Sequence, residues 1–361
     1  MAELKLMKGN EAIAEAAIRC GCDGYFGYPI TPQSEVMETL MARKPWEETG
    51  MVVLQAESEV AAINMVYGGA GCGKKVMTSS SSPGVSLKQE GITYIAGAEL
   101  PCLVVNVVRG GPGLGTIQPA QSDYFQATKG GGHGDYRLIV LAPASVQEMY
   151  DFVDLGFELA FKYRNPVQIQ SDGVIGQMME KVTVGDFKPR LTDEEVVKRY
   201  GSWATTGKPA SRERNIITSL DLDAYRQEQF NLKLQRKYKE IEEKEVRFEK
   251  IACDDADYLL VAYGSSSRIC QKAIEIAREK GIKVGLLRPI TLFPYPTKAI
   301  QSMLGQVKGI LAVEMSAGQM VEDVRLAVEG KVKVQHYGRM GGVIPTPNEI
   351  VKALEEQLIN G

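Results

Sequence analysis

The stretch PCLVVNVVRGG, residues 101–111, is the strongest indication of the fold. Residues 101–108 are apolar at nearly every position, whereas a strand with one face in water alternates apolar and polar residues. The stretch therefore predicts a β-strand covered on both faces, as in a parallel sheet with helices on each side. Arg109 and two glycines follow where this strand would end.

Helical and strand-like patterns alternate on both sides of this stretch. Short apolar runs predict strands, and longer amphipathic runs predict helices between them. The predicted strands are residues 24–27, 51–55, 75–78, 101–108, 136–142 and 167–170; the predicted helices are 9–20, 33–43, 58–67, 85–96 and 146–163. This order predicts a doubly wound, mostly parallel α/β sheet over residues 1–185.

The pattern changes after this first domain. Residues 220–250 are rich in Arg, Lys, Glu and Gln, which is typical of a solvated helix or linker, so we expect residues 186–254 to form a charged connecting segment. Alternation of strands and helices resumes near Asp257. Residues 255–361 are therefore predicted to form a second, smaller α/β domain.

Composition excludes several classes of function. The net charge of −3 gives no reason to expect nucleic acid or an anionic membrane as a partner. The sequence has no run of 18 apolar residues, and residues 1–10 lack the apolar core of a signal peptide. We therefore expect a cytoplasmic protein without a transmembrane helix.

The cysteines and histidines do not have the spacing of a metal site. The six cysteines include no C-x-x-C pair, and there are two histidines. The sequence therefore predicts reduced structural cysteines and no zinc or iron–sulfur site in this chain. The cysteines are Cys20, Cys22, Cys72, Cys102, Cys253 and Cys270.

Two glycine-rich stretches resemble nucleotide-binding motifs only superficially. GGAGCGKK, residues 68–75, has Lys75 where a P-loop has Ser or Thr, and it lies after a predicted helix instead of before one. GGPGLG, residues 110–115, lacks the last glycine of a dinucleotide fingerprint, and Pro119 disfavours a following helix. The first is interpreted as a turn and the second as a ligand-facing loop.

Three segments follow predicted strands directly, where open α/β sheets bind ligands. YPITP (residues 28–32) places Thr31 between two prolines, QAESE (55–59) contains Glu57 and Glu59, and VVRGG (107–111) contains Arg109. An arginine at a strand end can bind a carboxylate with two hydrogen bonds. From spacing alone, a rigid turn is favoured for residues 28–32, and a glutamate that complements a helix N-terminus is favoured for residues 55–59. A surface salt bridge is the alternative for Arg109.

These segments and others along the sequence resemble a known protein family, and the resemblance covers essentially the whole chain. The N-terminal motifs resemble the pyrimidine-binding domain of 2-oxoacid:ferredoxin oxidoreductases, and the C-terminal motifs resemble the family's second domain, which is similar to the transketolase C-terminal domain. The nearest resemblance is to the alpha-type subunit of the 3-methyl-2-oxobutanoate (2-oxoisovalerate) enzyme, with the 2-oxoglutarate enzyme as the alternative. The motifs are YPITPQSE (28–35), QAESEVAA (55–62), SSSSPGVSL (79–87), VVRGGPG (107–113), GGGHGDYR (130–137), LRPITLFPYP (287–296) and VEMSAGQM (313–320).

The resemblance implies roles for individual residues. Glu59 matches the catalytic glutamate that bonds N1′ of the aminopyrimidine of thiamine diphosphate, and Glu57 matches less well. Thr31 and Arg109 match positions that contact the oxo and carboxylate groups of the substrate. Residues 79–84 are expected to form a loop near the cofactor. The implied cofactor-binding residues are Pro29, Glu59, Ser82, Pro83 and Gly84.

The resemblance also implies partner subunits. The G-D-G and Asn-Asn motif that holds magnesium and the diphosphate is absent, since Ser171-Asp172-Gly173 is the nearest string. We therefore expect thiamine diphosphate to be shared across an interface of a hetero-oligomer, whose own dimerisation is left open. Its expected partners are a diphosphate-binding subunit, a gamma-type subunit and a ferredoxin-like subunit with iron–sulfur clusters. A 2-oxoacid and coenzyme A would be the substrates of an oxidative decarboxylation that passes electrons to ferredoxin.

Two other classes of protein stay open at this stage. A non-catalytic assembly subunit would need no pocket at Glu59 and Arg109. A free-standing transketolase-like enzyme would bind thiamine diphosphate alone, against which the missing diphosphate motif argues. The sequence assigns no role to His133, Asp172, Arg288 or Glu314.

Overall fold

The computed structural model describes residues 3–361, which form two sheets and a two-stranded ribbon. The ribbon pairs the first strand with the eighth in antiparallel register. The strands are β1 (Glu3–Lys8), β2 (Gly24–Gly27), β3 (Val52–Gln55), β4 (Val76–Ser80), β5 (Cys102–Val108), β6 (Ile139–Leu141), β7 (Pro166–Asp172), β8 (Met179–Val184), β9 (Phe248–Ile251), β10 (Tyr258–Val261), β11 (Val284–Pro289), β12 (Thr291–Phe293), β13 (Gly309–Glu314) and β14 (Lys333–Gly338).

Helices connect most of these strands, and a short π-helical turn, Glu355–Ile359, follows the last helix. No helix within residues 3–361 has both the length and the apolar character needed to span a membrane. The helices are α1 (Gly9–Arg19), α2 (Ser34–Arg43), α3 (Pro45–Glu48), α4 (Glu59–Gly71), α5 (Ser82–Gly97), α6 (Tyr124–Thr128), α7 (Val146–Tyr163), α8 (Gly173–Gln177), α9 (Asp193–Tyr200), α10 (Ala224–Lys244), α11 (Gly264–Glu279), α12 (Thr297–Gln301), α13 (Met320–Val328) and α14 (Pro347–Leu354).

The first sheet has seven strands in the order β12-β6-β7-β5-β4-β2-β3, and only β12 runs antiparallel to its neighbour. All seven residues of β5 are buried, which confirms the strand covered on both faces. Its one amide side chain, Asn106, is hydrogen bonded: Oδ1 accepts from the Ser82 N–H and Nδ2 donates to Asp123. The predicted doubly wound, mostly parallel sheet is confirmed.

The second sheet has the order β14-β13-β10-β11-β9 and is parallel except for β9. It confirms the smaller α/β domain. The edge strand β12 comes from the second half of the chain but pairs with β6 of the first sheet. The two halves are thus joined by a shared sheet, and the division into 1–185, 186–254 and 255–361 stays a prediction.

The charged segment contains the long helix α10, which packs against the first domain. Leu234, Tyr238 and Ile241 recur at helical spacing, are buried, and join the core of that domain. Lys237 on the same helix pairs with Glu99 at 3.4 Å. The expected solvated helix is therefore solvated on one face only.

Arg288, Asp172 and Glu314 have structural partners. The Arg288 guanidinium donates two hydrogen bonds to Glu148 at 2.7 and 2.8 Å and one to Glu249, which ties β11 to the start of α7. The Asp172 carboxylate accepts from Ser265 Oγ at 2.7 Å across the two halves of the chain, and burial raises its pKa despite these hydrogen bonds. Glu314 accepts main-chain N–H bonds at the start of α13.

The cysteines of the described chain are unpaired, and all except Cys72 are buried. Burial raises the pKa of the Cys20 and Cys102 thiols to about 12, so their reactive thiolate forms are strongly disfavoured. Within residues 3–361, no three His, Cys, Asp or Glu side chains group as metal ligands.

Candidate active site

The carboxyl ends of four neighbouring parallel strands, β5, β4, β2 and β3, lie at one edge of the first sheet. Each strand is followed by one of the motif segments identified above. Residues 28–32 follow β2, residues 56–59 follow β3, residues 81–84 follow β4, and Arg109 follows β5. The fold therefore brings the predicted site residues to the edge where open α/β sheets bind ligands.

Arg109 joins two of these segments. Its Nη1 donates to the Thr31 carbonyl and its Nη2 to the Leu114 carbonyl, both at 2.9 Å. Its Nε is buried and has no hydrogen-bond partner within the described part of the chain. The hydrogen bonds hold the guanidinium through main-chain carbonyls and not through a surface carboxylate, so the salt-bridge alternative is wrong for Arg109.

Ser82 fixes the main chain at Arg109. Its Oγ accepts from the Arg109 N–H at 3.1 Å and lies 3.2 Å from the Arg109 carbonyl, to which it can donate. The expectation of a loop over residues 79–84 is wrong, because β4 extends to Ser80 and α5 begins at Ser82. Pro83 in the first turn favours this early start, since its fixed φ suits a helix and its missing N–H is not needed there.

Glu59 is the first residue of α4, and its side chain is buried with 7% of its surface exposed. The N-terminus of α4 is capped by Ser58, whose Oγ accepts from the Ala61 N–H at 3.2 Å. Glu57 lies outside the helix and is exposed. Glu59 stands in the first turn, where its charge also complements the helix N-terminus. Of the two glutamates, Glu59 is the buried one and therefore the better catalytic candidate.

Gly84 allows α5 to approach Glu59 closely. A Cβ atom at Gly84 would lie 2.8 Å from Glu59 Oε1 and would overlap the Ser80 hydroxyl. A side chain at this position would therefore displace the carboxylate. This contact makes residues 82–84 part of the same site as Glu59.

Lys88, one turn further along α5, is a site residue that the sequence analysis missed. Its side chain is fully buried, and Nζ has no hydrogen-bond partner among residues 3–361. Burial lowers the pKa of Lys88 to about 8, and the charge of Glu59 opposes this shift. The signal in the sequence was a lysine on the apolar face of a predicted helix, between Val85 and Ile92.

Gln33 supports the turn that carries Pro29 and Thr31, and it too was missed. Its Nε2 donates to the Tyr28 carbonyl at 3.2 Å, and its Oε1 accepts from Ser79 Oγ at 2.5 Å. Pro29 and Thr31 themselves are exposed. The turn is thus tied to β4 and presents both residues to the outside of the sheet edge.

The first glycine-rich stretch is a turn, as interpreted, and the second is a loop whose contact with a ligand stays a prediction. Residues 72–75 connect α4 to β4, so the helix precedes the strand, the reverse of a P-loop. Residues 110–119 form a closed loop in which the Gly110 N–H donates to the Gln118 carbonyl at 2.9 Å. His133 is exposed and lines a separate cleft of about 390 Å³ with Tyr94 and Phe230. That cleft is not lined by Glu59 or Arg109.

The two helices that meet at Glu59 and Gly84 expose four large apolar side chains. Val60 and Met65 of α4 and Leu87 and Tyr94 of α5 are 37–55% exposed. We call these four side chains the α4–α5 face. Exposed large apolar side chains are common at protein–protein interfaces.

Comparisons with known proteins identify the family of this chain. A family model described as pyruvate flavodoxin/ferredoxin oxidoreductase, thiamine diphosphate-binding, matches residues 15–247, and one described as pyruvate:ferredoxin oxidoreductase core domain II matches residues 256–350. The chain is 50% identical over 353 residues to ketoisovalerate oxidoreductase subunit VorB of Methanothermobacter thermautotrophicus, covering 98% of this chain and 97% of that protein. It is 35% identical over 359 residues to 2-oxoglutarate synthase subunit KorA of Archaeoglobus fulgidus, covering 99% and 100%.

Two solved structures have a similar fold. The 2-oxoglutarate:ferredoxin oxidoreductase from Magnetococcus marinus, described with 2-oxoglutarate, coenzyme A and succinyl-CoA bound, matches with a TM-score of 0.86 at 28% identity. The match covers 98% of this chain, which spans 65% of that longer chain. A split-gene transketolase in an inactive beta4 tetramer matches with a TM-score of 0.61 at 13% identity over 98% of both chains, a likeness of fold alone.

Proposed function

The chain belongs to the pyruvate flavodoxin/ferredoxin oxidoreductase family, and from this premise we propose that it is the aminopyrimidine-binding subunit of a thiamine-diphosphate-dependent 2-oxoacid:ferredoxin oxidoreductase. The proposed reaction converts 3-methyl-2-oxobutanoate and coenzyme A into the acyl-coenzyme A and CO2, and passes the electrons to ferredoxin. The observation that carries the proposal is the meeting of Thr31, Glu59, residues 82–84 and Arg109 at one sheet edge.

The residues at this edge fit the pyrimidine half of the cofactor. Glu59 would hold N1′, Pro29, Ser82 and Pro83 would line the ring, and Gly84 leaves the space that a Cβ would fill. Bound thiamine diphosphate supplies the nucleophilic carbon and the electron sink for decarboxylation. The buried Glu59 carboxylate holds a proton at N1′, which is the task of a general acid–base in a site of low polarity.

The substrate-binding residues are proposed to be Arg109 and Thr31. Arg109 keeps an unpartnered N–H while its other nitrogens are anchored, so its charge is preorganised to bind the carboxylate of a 2-oxoacid. The exposed Thr31 hydroxyl donates to the oxo oxygen. Together they orient the 2-oxo carbon without contributing a nucleophile.

We propose that partner subunits complete the active site. A second subunit with the G-D-G and Asn-Asn motif holds magnesium and the diphosphate, a ferredoxin-like subunit carries the iron–sulfur clusters, and a gamma-type subunit completes the assembly in the cytoplasm. Two observations support this: the α4–α5 face is exposed on the two helices that meet at Glu59 and Gly84, and the sequence lacks the diphosphate motif. The Glu59 edge is the surface that we propose for the cofactor-binding partner.

Placing a charge on the α4–α5 face should prevent assembly. Leu87→Glu is expected to weaken binding of the diphosphate-binding subunit by about tenfold or more, because a carboxylate would lose its hydration on docking. Analytical ultracentrifugation of the mixed subunits measures this. The matched control is Leu222→Glu, which changes a 91% exposed leucine that is not on this face and should leave association unchanged. Equal association of Leu87→Glu and wild type would contradict the proposed interface.

The substrate preference can be tested with the reconstituted complex. Reduction of a viologen dye is expected to show kcat/KM at least about tenfold higher with 2-oxoisovalerate than with 2-oxoglutarate, because a site for a branched apolar chain disfavours a second carboxylate. The 50% identity to the ketoisovalerate subunit, against 35% to the 2-oxoglutarate subunit, favours this order. A higher kcat/KM with 2-oxoglutarate would overturn the substrate and leave the family assignment in place.

A further inference from the structure

Lys88 is a fully buried lysine that the proposed reaction does not use. It lies in α5 with no exposed surface, and its Nζ has no hydrogen-bond partner among the residues that the structure describes. Lysines are almost never fully buried unless they are paired, because the desolvated ammonium group opposes folding. An unpaired ammonium at this position therefore requires an explanation.

The geometry of α5 directs Lys88 toward Glu59. Lys88 follows Gly84 by four residues, so both lie on one face of the helix, and helical side chains lean toward the N-terminus. Gly84 is the residue against which Glu59 packs. The negative charge of Glu59 raises the pKa of Lys88 and so opposes the effect of burial, although the Lys88 Nζ makes no hydrogen bond. The ammonium and the carboxylate thus interact electrostatically without a hydrogen bond.

The stability cost of Lys88 indicates a role other than holding the fold together. Burial lowers its pKa to about 8 from an ordinary 10.5, so the folded chain binds this proton more weakly than the unfolded chain. The resulting loss of stability is complete below pH 8 and disappears as the pH rises above 10.5. A methionine would fill the same volume without this cost.

We propose that Lys88 is a positioning residue for Glu59, whose carboxylate its ammonium group attracts and orients toward the cofactor's N1′. A cation close to a buried carboxylate restricts the orientation of that carboxylate. Lys88 acts through Glu59 and does not touch the reacting atoms. This inference rests on the proposed function, since it requires Glu59 to be the residue that meets N1′.

The test is Lys88→Met in the assembled complex. We expect thiamine diphosphate to bind about tenfold more weakly and kcat to fall about tenfold, while KM for the 2-oxoacid changes less than about twofold. A packing role alone would not produce this split between kcat and KM. Lys88→Arg, which keeps the charge, should restore cofactor affinity in part.

Lys237→Met is the matched control. Lys237 is half-buried, and burial lowers its pKa to about 8, but it lies on α10 and donates to the Arg164 carbonyl at 3.1 Å. Its replacement should leave kcat and cofactor affinity as in wild type. If Lys237→Met lowers kcat and cofactor affinity as far as Lys88→Met does, the effect is not specific and the proposal is overturned.

Glu59→Gln separates a failure of this inference from a failure of the proposed function. If Glu59→Gln is inactive while Lys88→Met has wild-type cofactor affinity and kcat, Lys88 has a packing role only, and the proposed function stands. If Glu59→Gln keeps its turnover, the proposed function itself fails.

Discussion

Replacing Glu59 with glutamine is expected to lower kcat of the assembled oxidoreductase by about 10²- to 10⁴-fold, the range that a general acid–base contributes. Glutamine has nearly the same shape and should keep the packing against Gly84, while its neutral amide cannot hold or release the proton at N1′. The measurement is steady-state reduction of a viologen dye with 2-oxoisovalerate and coenzyme A. Assembly with the partner subunits should be unchanged, which ultracentrifugation of the same preparation checks.

Glu57→Gln is the control for this loss. Glu57 lies two residues away, is exposed, and is not part of α4, so its replacement should leave kcat within about twofold of wild type. If Glu59→Gln retains full turnover, Glu59 is not the catalytic residue, and an assembly subunit without a catalytic role becomes the better description. If both variants lose activity equally, the loss is caused by damage to the whole segment 55–59 and not by the change of one carboxylate.

Replacing Arg109 with lysine should lower kcat/KM for the 2-oxoacid by about 100-fold, mainly through a higher KM. The guanidinium holds the carbonyls of Thr31 and Leu114 and still keeps an N–H free, whereas one ammonium group cannot reproduce this planar arrangement. Hydrogen bonds to charged groups contribute about 1.5–3 kcal/mol, and about 2.7 kcal/mol corresponds to a 100-fold change. The KM for coenzyme A should change little.

Arg288→Lys is the matched control, because Arg288 is also a buried arginine near the end of a parallel strand. Its guanidinium is fully engaged by Glu148 and Glu249, so we expect its replacement to lower the free energy of unfolding by about 1–3 kcal/mol. At temperatures where the variant is folded, kcat/KM should stay close to that of wild type. A loss of kcat/KM equal to that of Arg109→Lys would show that Arg109 acts through the fold and not on the substrate.

Much of the fold was predictable because its signals are local. The buried strand at residues 101–108 and the helix at residues 146–163 follow from runs of neighbouring side chains, and the structure places the helix at Val146–Tyr163. The edge strand β12 was missed because three residues carry no pattern and its partner β6 lies about 150 residues earlier in the chain. The ribbon β1–β8 was missed because β1 is half exposed, with Leu4 and Leu6 at the surface.

The candidate site, like the fold, was predictable only where its signals are local in the sequence. The order of strands and motifs placed Thr31, Glu59 and Arg109 at strand ends, since parallel strands direct their carboxyl ends to one edge. The sequence alone could not decide between Glu57 and Glu59, and the structure favours Glu59 because its side chain is buried whereas that of Glu57 is exposed. It also could not separate Arg109 from Arg288, which differ in whether carbonyls or carboxylates surround them.

The sequence by itself determined the parallel sheet, its smaller companion domain, and the family motifs at the strand ends, because apolar periodicity and turn residues act over a few neighbouring positions. Only the tertiary structure decided which charged side chains are buried and what they meet. The unpaired ammonium of Lys88 beside Glu59 is the clearest case. The physical reason is that desolvation and charge pairing depend on groups that are far apart along the chain and become neighbours only when α4 and α5 pack together.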